Sequence, residues 1–213
     1  MLGTYAELQQ AIADTLHRDD LAADIPSFIH LFEARANRYL RGLMQETTVT
    51  LTLAAGNSFI ALPANFLEIL TANVLLANQP QLLVQQNADA FDNGFVATTF
   101  PTYYSVYAGN IAFDAIADQD YLIALRYLKG LDLAADLTNW LLTSHPDAYL
   151  YGALAAAALY LQDDGRVATW AQLAASAMEE INLQASRTKQ RTLLSLDPAL
   201  IDRGGAFNIN RGY

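Results

Sequence analysis

The chain contains no cysteine, which excludes disulfides, thiolate metal sites and thiol nucleophiles and suits a protein made in a reducing cytoplasm. Histidine is scarce. His17, His30 and His145 are the three present, and none has a second histidine at metal-ligand spacing, so no metal is expected. No G-x-G-x-x-G, G-x-x-x-x-G-K-[ST] or G-x-S-x-G occurs, which removes the phosphate-cradling and nucleophile-elbow signatures; no cofactor and no enzymatic activity are expected. The longest uncharged apolar stretch, Ala148 to Leu161, is alanine-rich and short of the about 20 strongly apolar residues that cross a bilayer. It reads as a buried helix, and no membrane partner is expected. The start, Met1 to Glu7, lacks the basic patch and apolar run of a signal peptide.

Basic side chains are also missing over a long interval. From Gly42 to Leu125 there is no Lys, Arg or His, against the seven acids Glu46, Glu68, Asp89, Asp92, Asp114, Asp118 and Asp120. The formal net charge is −10, whereas proteins that grip duplex DNA present a basic face to the phosphates. Tight DNA binding is therefore disfavoured. From Ala185 the balance reverses, with Arg187, Lys189, Arg191, Arg203 and Arg211 against Asp197 and Asp202.

What is present is a chain of 213 residues, 53% hydrophobic and 16% charged, poorer in charge than the about 25% of an average soluble domain. That length supports one domain with a substantial core, or one domain carrying an inserted lobe. The low charge implies surface hidden against other chains.

Thr4-Tyr5-Ala6-Glu7 is a capping box, and Tyr5, Leu8, Ile12 and Leu16 follow at helical spacing, predicting a helix over about 4–17. Asp24 and Pro26 open a second helix with the apolar face Phe28, Phe32, Ala36, Tyr39 and Leu43. Arg35, Arg38 and Arg41 lie in one slanted row on its other side. The period then becomes two. Val49, Leu51 and Leu53 alternate with threonines, and a turn at Gly56-Asn57 predicts a hairpin with Phe59 to Leu62. Further strands are expected at 69–76, 81–84, 102–107, 110–113 and 121–127, with a second hairpin turning at Gly109-Asn110 and one helical turn over 87–93. Ser144-His145-Pro146-Asp147 signals a third helix with serine as cap. Asp163 or Asp164 caps a fourth, with the stripe Val167, Trp170, Ala174, Met178 and Ile181. Beyond about Arg187 the periodicity fades.

The expected fold is α+β: a helical bundle of four main helices with an inserted antiparallel β lobe and an extended C-terminal tail. The divisions are an N-terminal helical pair at 1–45, the acidic β-rich insert at 46–130, a C-terminal helical pair of the same domain at 131–186 and a partner-docking tail at 187–213. In that tail Leu193, Leu194, Leu196, Phe207 and Ile209, with Arg203, Arg211 and Tyr213, make sense against a partner, because exposed apolar groups gain nothing in a free terminus. Arg35, Arg38 and Arg41 are candidates for a subunit interface, pairing with acids of the same or a neighbouring copy.

Other clusters read as structure. Ser144, His145 and Asp147 invite a nucleophile reading but already form a helix start, and paired acids such as Asp163-Asp164 fit caps and turns. Tyr103, Tyr104 and Tyr107 could stack on a sugar or base; alternating aromatics more often cover a strand face.

Several segments together resemble the tailed-phage head-tail adaptor (connector) proteins, across about residues 4–190. They are Thr4 to Leu8, Leu16 to Leu21, Phe32-Glu33-Ala34-Arg35-Ala36-Asn37-Arg38, Glu46-Thr47-Thr48 and Leu62 to Glu68. The most specific is Asn139-Trp140-Leu141-Leu142 through His145-Pro146-Asp147-Ala148-Tyr149-Leu150-Tyr151-Gly152-Ala153-Leu154, followed by Asp163-Asp164 and Trp170. The resemblance implies a structural virion protein at the head-tail interface, assembled in the host cytoplasm as a ring of about twelve copies with heterologous contacts. It further implies that the ring docks on the portal through the C-terminal segment, meets a tail or nozzle protein and passes DNA through its lumen without specific binding. Another virion component, such as a stopper, tail-completion or carbohydrate-reading protein, is the alternative.

Overall fold

The structure, a computed structural model, describes residues 2–40, 43–76, 79–87, 89, 97–162 and 164–193. The chain opens as its capping box predicts. Thr4 Oγ1 accepts the amide of Glu7 at 3.3 Å, and Glu7 Oε2 accepts the amides of Thr4 and Gly3 at 3.1 and 2.8 Å. This launches α1 (Tyr5–Leu16). α2 (Ile25–Tyr39) carries Pro26 in its first turn and buries Phe28, Ile29, Phe32 and Ala36, while Asp24 precedes it without a side-chain cap bond.

Among the described residues ten strands follow: β1 (Glu46–Leu53), β2 (Phe59–Ala61), β3 (Phe66–Leu75), β4 (Pro80–Leu82), β5 (Val84–Gln85), β6 (Ala97–Thr98), β7 (Tyr103–Tyr107), β8 (Asn110–Phe113), β9 (Ala115–Ile116) and β10 (Tyr121–Lys129). One sheet has the order β1-β10-β3-β4, a second β2-β8-β7-β5, and β6 pairs with β9. The hairpin expected at Gly56-Asn57 does not form. β1 pairs antiparallel with β10, from Glu46 opposite Leu128 to Leu53 opposite Tyr121, and β2 pairs with β8. Residues 46–61 and 110–129 thus run antiparallel as one long ribbon that passes from the first sheet to the second. Loop bonds hold its bend: Gly56 N to Ala117 O at 2.8 Å, Ala117 N to Asn57 O at 2.9 Å and Ala55 N to Asp120 Oδ1 at 2.8 Å. The β7–β8 hairpin does form, and Ala108 and Gly109, both at positive φ, make the two-residue turn whose twist suits paired strands.

Four more helices follow: α3 (Leu133–Asp136), α4 (Trp140–Ser144), α5 (Pro146–Tyr160) and α6 (Asp164–Leu193). The four-helix bundle with an antiparallel lobe is therefore corrected on three counts. Six helices occur among the described residues, because Asp132 and Asn139 start two short ones by accepting the amides of Ala135 and Leu142 at 3.1 and 2.9 Å. Ser144 ends α4 rather than capping α5: Pro146 disfavours helical backbone at His145, which sits at φ −139 and ψ 61 between the two helices. The insert is not antiparallel throughout: the β1-β10-β3-β4 sheet is, but the second sheet is mixed through the parallel β5–β7 pair and β6–β9 is parallel. The tail expectation changes too. α6 runs on through residues 187–193, where extended chain was expected; Asp163, most of the turn expected at 87–93 and the rest of the tail lie outside the described residues.

Two apolar clusters result. One gathers α1, α2, α4, α5 and α6 around Ile12, Phe32, Leu141, Tyr149 and Met178. The other lies between the sheets around Leu53, Val74, Ile111, Ile123 and Leu125. Asn37 joins the chain leaving the second to α2: its Oδ1 accepts the amide of Leu131 at 2.7 Å and its Nδ2 donates to Leu131 O at 3.0 Å.

Within the helical cluster Glu33 is 3% exposed. Its Oε1 accepts the amide of Leu133 at 2.7 Å and the hydroxyl of Tyr149 at 2.9 Å, and Asn139 Nδ2 donates to the same hydroxyl at 2.6 Å. Burial pushes the Glu33 carboxyl above the ordinary carboxylate range, against the pull of these two hydrogen bonds. Burial and the neighbouring Glu33 charge raise the Tyr149 phenol as well.

Two predictions follow from this packing. Because folding raises the affinity of Glu33 for a proton, the stability this confers is complete below the unfolded value of about 4.3 and is lost as pH rises through the folded value. Glu33→Gln keeps an acceptor for both donors without the buried charge, so urea unfolding should find it at least as stable as wild type at pH 7, with its relative advantage shrinking towards pH 4. Glu33→Ala, which strands both donors, should lose about 2–4 kcal/mol. A Cβ on Gly152 falls within the ring of Phe32, itself packed against Tyr149 at a centroid distance of 5.1 Å. Gly152→Ala should therefore destabilise by about 1–3 kcal/mol despite its better helix propensity, and Phe32→Leu in the same chain should recover part of the loss.

Candidate functional site

Arg35 and Arg38 lie on the exposed side of α2, one turn apart, and neither forms an ion pair among the described residues. Both border a groove between α2 and α6. Its first hollow, about 330 Å³, is floored by Gly152, Ala155, Ala156 and Ala171, with Leu31, Leu159 and Arg35 at its rim. The second, about 320 Å³, continues past Arg35 to Arg38, Tyr39, Ala175, Met178 and Glu179. Small side chains on α5 and α6 create the depression, and Leu31 and Leu159 stand 59% and 67% exposed beside it. Water gains nothing from such a surface, and two cations at the rim of an apolar trough favour an occupant with apolar and acidic groups. The expectation of an interface at Arg35 and Arg38 thus falls on a shaped surface, while Arg41 lies outside the described residues.

α6 is the second feature. Asn182 Nδ2 donates to Tyr39 O at 3.2 Å, so α6 passes the C-terminal end of α2 at that level. After Ile181 no described residue of α6 is buried, and Leu183 is 52% exposed. α6 ends at Leu193; Leu194, Leu196, Arg203, Phe207, Ile209, Arg211 and Tyr213 lie outside the described residues.

Of the insert's acids, Asp114, Asp118 and Asp120 lie in loops, whereas Glu46 and Glu68 lie in β1 and β3. Asp114 Oδ1 accepts the amides of Thr102 and Tyr103 at 2.9 and 3.0 Å, Asp118 accepts the Tyr121 hydroxyl at 2.6 Å, and Asp120 accepts the amide of Ala55. These donors are neutral, so they fix loops without cancelling charge. Glu46 pairs with Arg126.

The remaining clusters are not brought together as sites. Tyr104 is buried and Tyr103 half-buried, whereas Tyr107 is 55% exposed, so the three tyrosines share no one surface. His145 packs edge-on against Trp140 at 6.5 Å, and no hydrogen bond links it to Ser144 or Asp147. Among the described residues no group of three or more His, Asp or Glu is placed to hold a metal, and no helix is long and apolar enough to cross a membrane.

Sequence reasoning found the arginine row but missed the groove floor and the Glu33–Tyr149 pair. Ala155, Ala156, Ala171 and Ala175 look like any alanine-rich core; Gly152 inside a helix at the level of Phe32 was the available signal of close helix approach.

No curated protein matches the chain. The sequence model of the SU10 adaptor protein family matches residues 3–196, which include both apolar clusters, the groove and the whole of α6. The chain belongs to the SU10 adaptor protein family, consistent with a phage head-tail adaptor.

Proposed function

We propose that the chain is a non-enzymatic structural subunit of a tailed-phage virion, a head-to-tail adaptor. Its copies close into a ring of about twelve below the portal, with heterologous contacts between neighbours. The ring extends the channel through which the genome leaves and joins the head to a tail or nozzle protein. The observation that carries this reading is the family match over nearly the whole chain.

The surface supports it. A closed ring with heterologous contacts needs two different complementary surfaces on each copy. The trough flanked by Arg35 and Arg38 is one candidate, and the second must carry charge of opposite sign. The segment that follows α6 docks on the portal. A net charge of −10 suits a channel wall, because like charge removes the counterion-release gain by which DNA sticks to protein.

Native mass spectrometry of the full chain mixed with its cognate portal should show a complex many subunits heavier than the portal alone. A chain ending at Leu193, which retains α6, should bind at least about tenfold more weakly, the loss of roughly 1.4 kcal/mol of docking contacts. A full chain that leaves the portal mass unchanged would remove the adaptor reading.

A further inference from the structure

The α2–α6 trough has an apolar floor and a net cationic rim, two arginines against the single acid Glu179. A fitting occupant is an extended segment of aliphatic side chains carrying acids. Residues 194–202 of this chain read Leu-Ser-Leu-Asp-Pro-Ala-Leu-Ile-Asp, with aliphatic groups at both ends and the acids Asp197 and Asp202. The segment after it carries Arg203 and Arg211 and no acid, and would place like charge against Arg35 and Arg38.

Reach decides whose segment it is. α6 rises about 1.5 Å per residue, so Glu179, at the near end of the trough, lies about 21 Å behind Leu193, and Ala171 about 33 Å behind. Even fully extended backwards, the chain carries Leu196 about 10 Å from Leu193. Leu194, Leu196 and Asp197, at most about 14 Å on, therefore cannot enter the trough of their own molecule, and Leu200 to Asp202, within about 30 Å, reach only its near part, short of Ala171, so the nine residues cannot lie in it together. A neighbouring copy is under no such limit.

We infer that the trough between α2 and α6 is a receptor for residues 194–202 of a second copy of this chain, with Asp197 and Asp202 meeting Arg35 and Arg38. The contact is heterologous: each copy gives a segment on one side and receives one on the other, as ring closure requires. It rests on the ring-forming adaptor reading, of which it specifies the subunit contact, and leaves Arg203 to Tyr213 free for the portal.

The chain has no cysteine, so single thiols can be placed cleanly. Full-length Ala171→Cys and full-length Leu196→Cys, mixed and mildly oxidised, should give a disulfide heterodimer at least about tenfold over either homodimer. That ratio corresponds to a preference of about 1.4 kcal/mol. Asp197→Arg with Asp202→Arg in the Leu196→Cys chain should lower the yield about tenfold, and Arg35→Glu with Arg38→Glu in the Ala171→Cys chain should restore it. Absence of the heterodimer, yields at the statistical ratio, or an internal disulfide within a monomeric chain carrying both thiols would each overturn the inference. Portal binding by the wild-type chain, weighed in parallel, separates the two readings. Binding without the cross-link keeps the adaptor and discards the exchanged segment; the cross-link without binding keeps the self-contact and discards the adaptor.

Discussion

Glu33 is a carboxyl group taken out of water at the centre of the helical cluster, and the order of the surrounding helices depends on how it is satisfied. A buried acceptor left unmatched costs about 1–3 kcal/mol, and more when charged. Here the partners are the amide that begins α3 and the hydroxyl of Tyr149 on α5, which in turn accepts from Asn139 at the start of α4. One α2 side chain therefore sets the positions of three helices that follow the sheets. Because Leu133 lies 100 residues after Glu33, the bond also closes the chain across the whole β insert. Asn37, one turn on, binds both backbone groups of Leu131. α2 is thus the strut to which the chain returns.

The helical parts were largely legible because their signals are local. The capping box at Thr4 and Glu7, Pro26 in the first turn and the stripe ending at Ile181 each act within a turn or two of themselves. Where local signals compete, the reading slipped. Ser144 and Asn139 are both cap residues five apart, and Pro146 allows both a helix end and a helix start around it; Asn139 takes the cap because its side chain is also fixed by Tyr149. The end of α6 was misplaced for the opposite reason. No described residue of α6 beyond Ile181 is buried, so fading periodicity there marks the loss of a buried face and not the loss of the helix.

Strand existence was legible and strand pairing was not. Alternation fixes which residues share a face, but it does not name the partner strand. The β7–β8 turn, with two residues of positive φ, leaves the strands no alternative. The five residues between β1 and β2 are instead held by the loop at 117–120, which sends the two strands to different sheets. β10 occupies the centre of its sheet between β1 and β3, and its partners lie far away in sequence. The groove was hidden for a related reason: its floor is made of alanines and one glycine contributed by two helices, and a depression exists once the two are packed.

The charge pattern follows from the same division of labour. In the insert Asp114, Asp118 and Asp120 bind backbone amides and a phenol, so loops are fixed by acids without any cation, and a long stretch free of Lys, Arg and His can still fold. No ion pair among the described residues cancels these three charges. Arg35 and Arg38 are cations held on a rigid helix with their guanidinium groups outside any ion pair of the described residues. The cations of α2 and these acids therefore lie on different elements of one copy, and such separation of charge favours head-to-tail contact between like molecules over contact between identical faces.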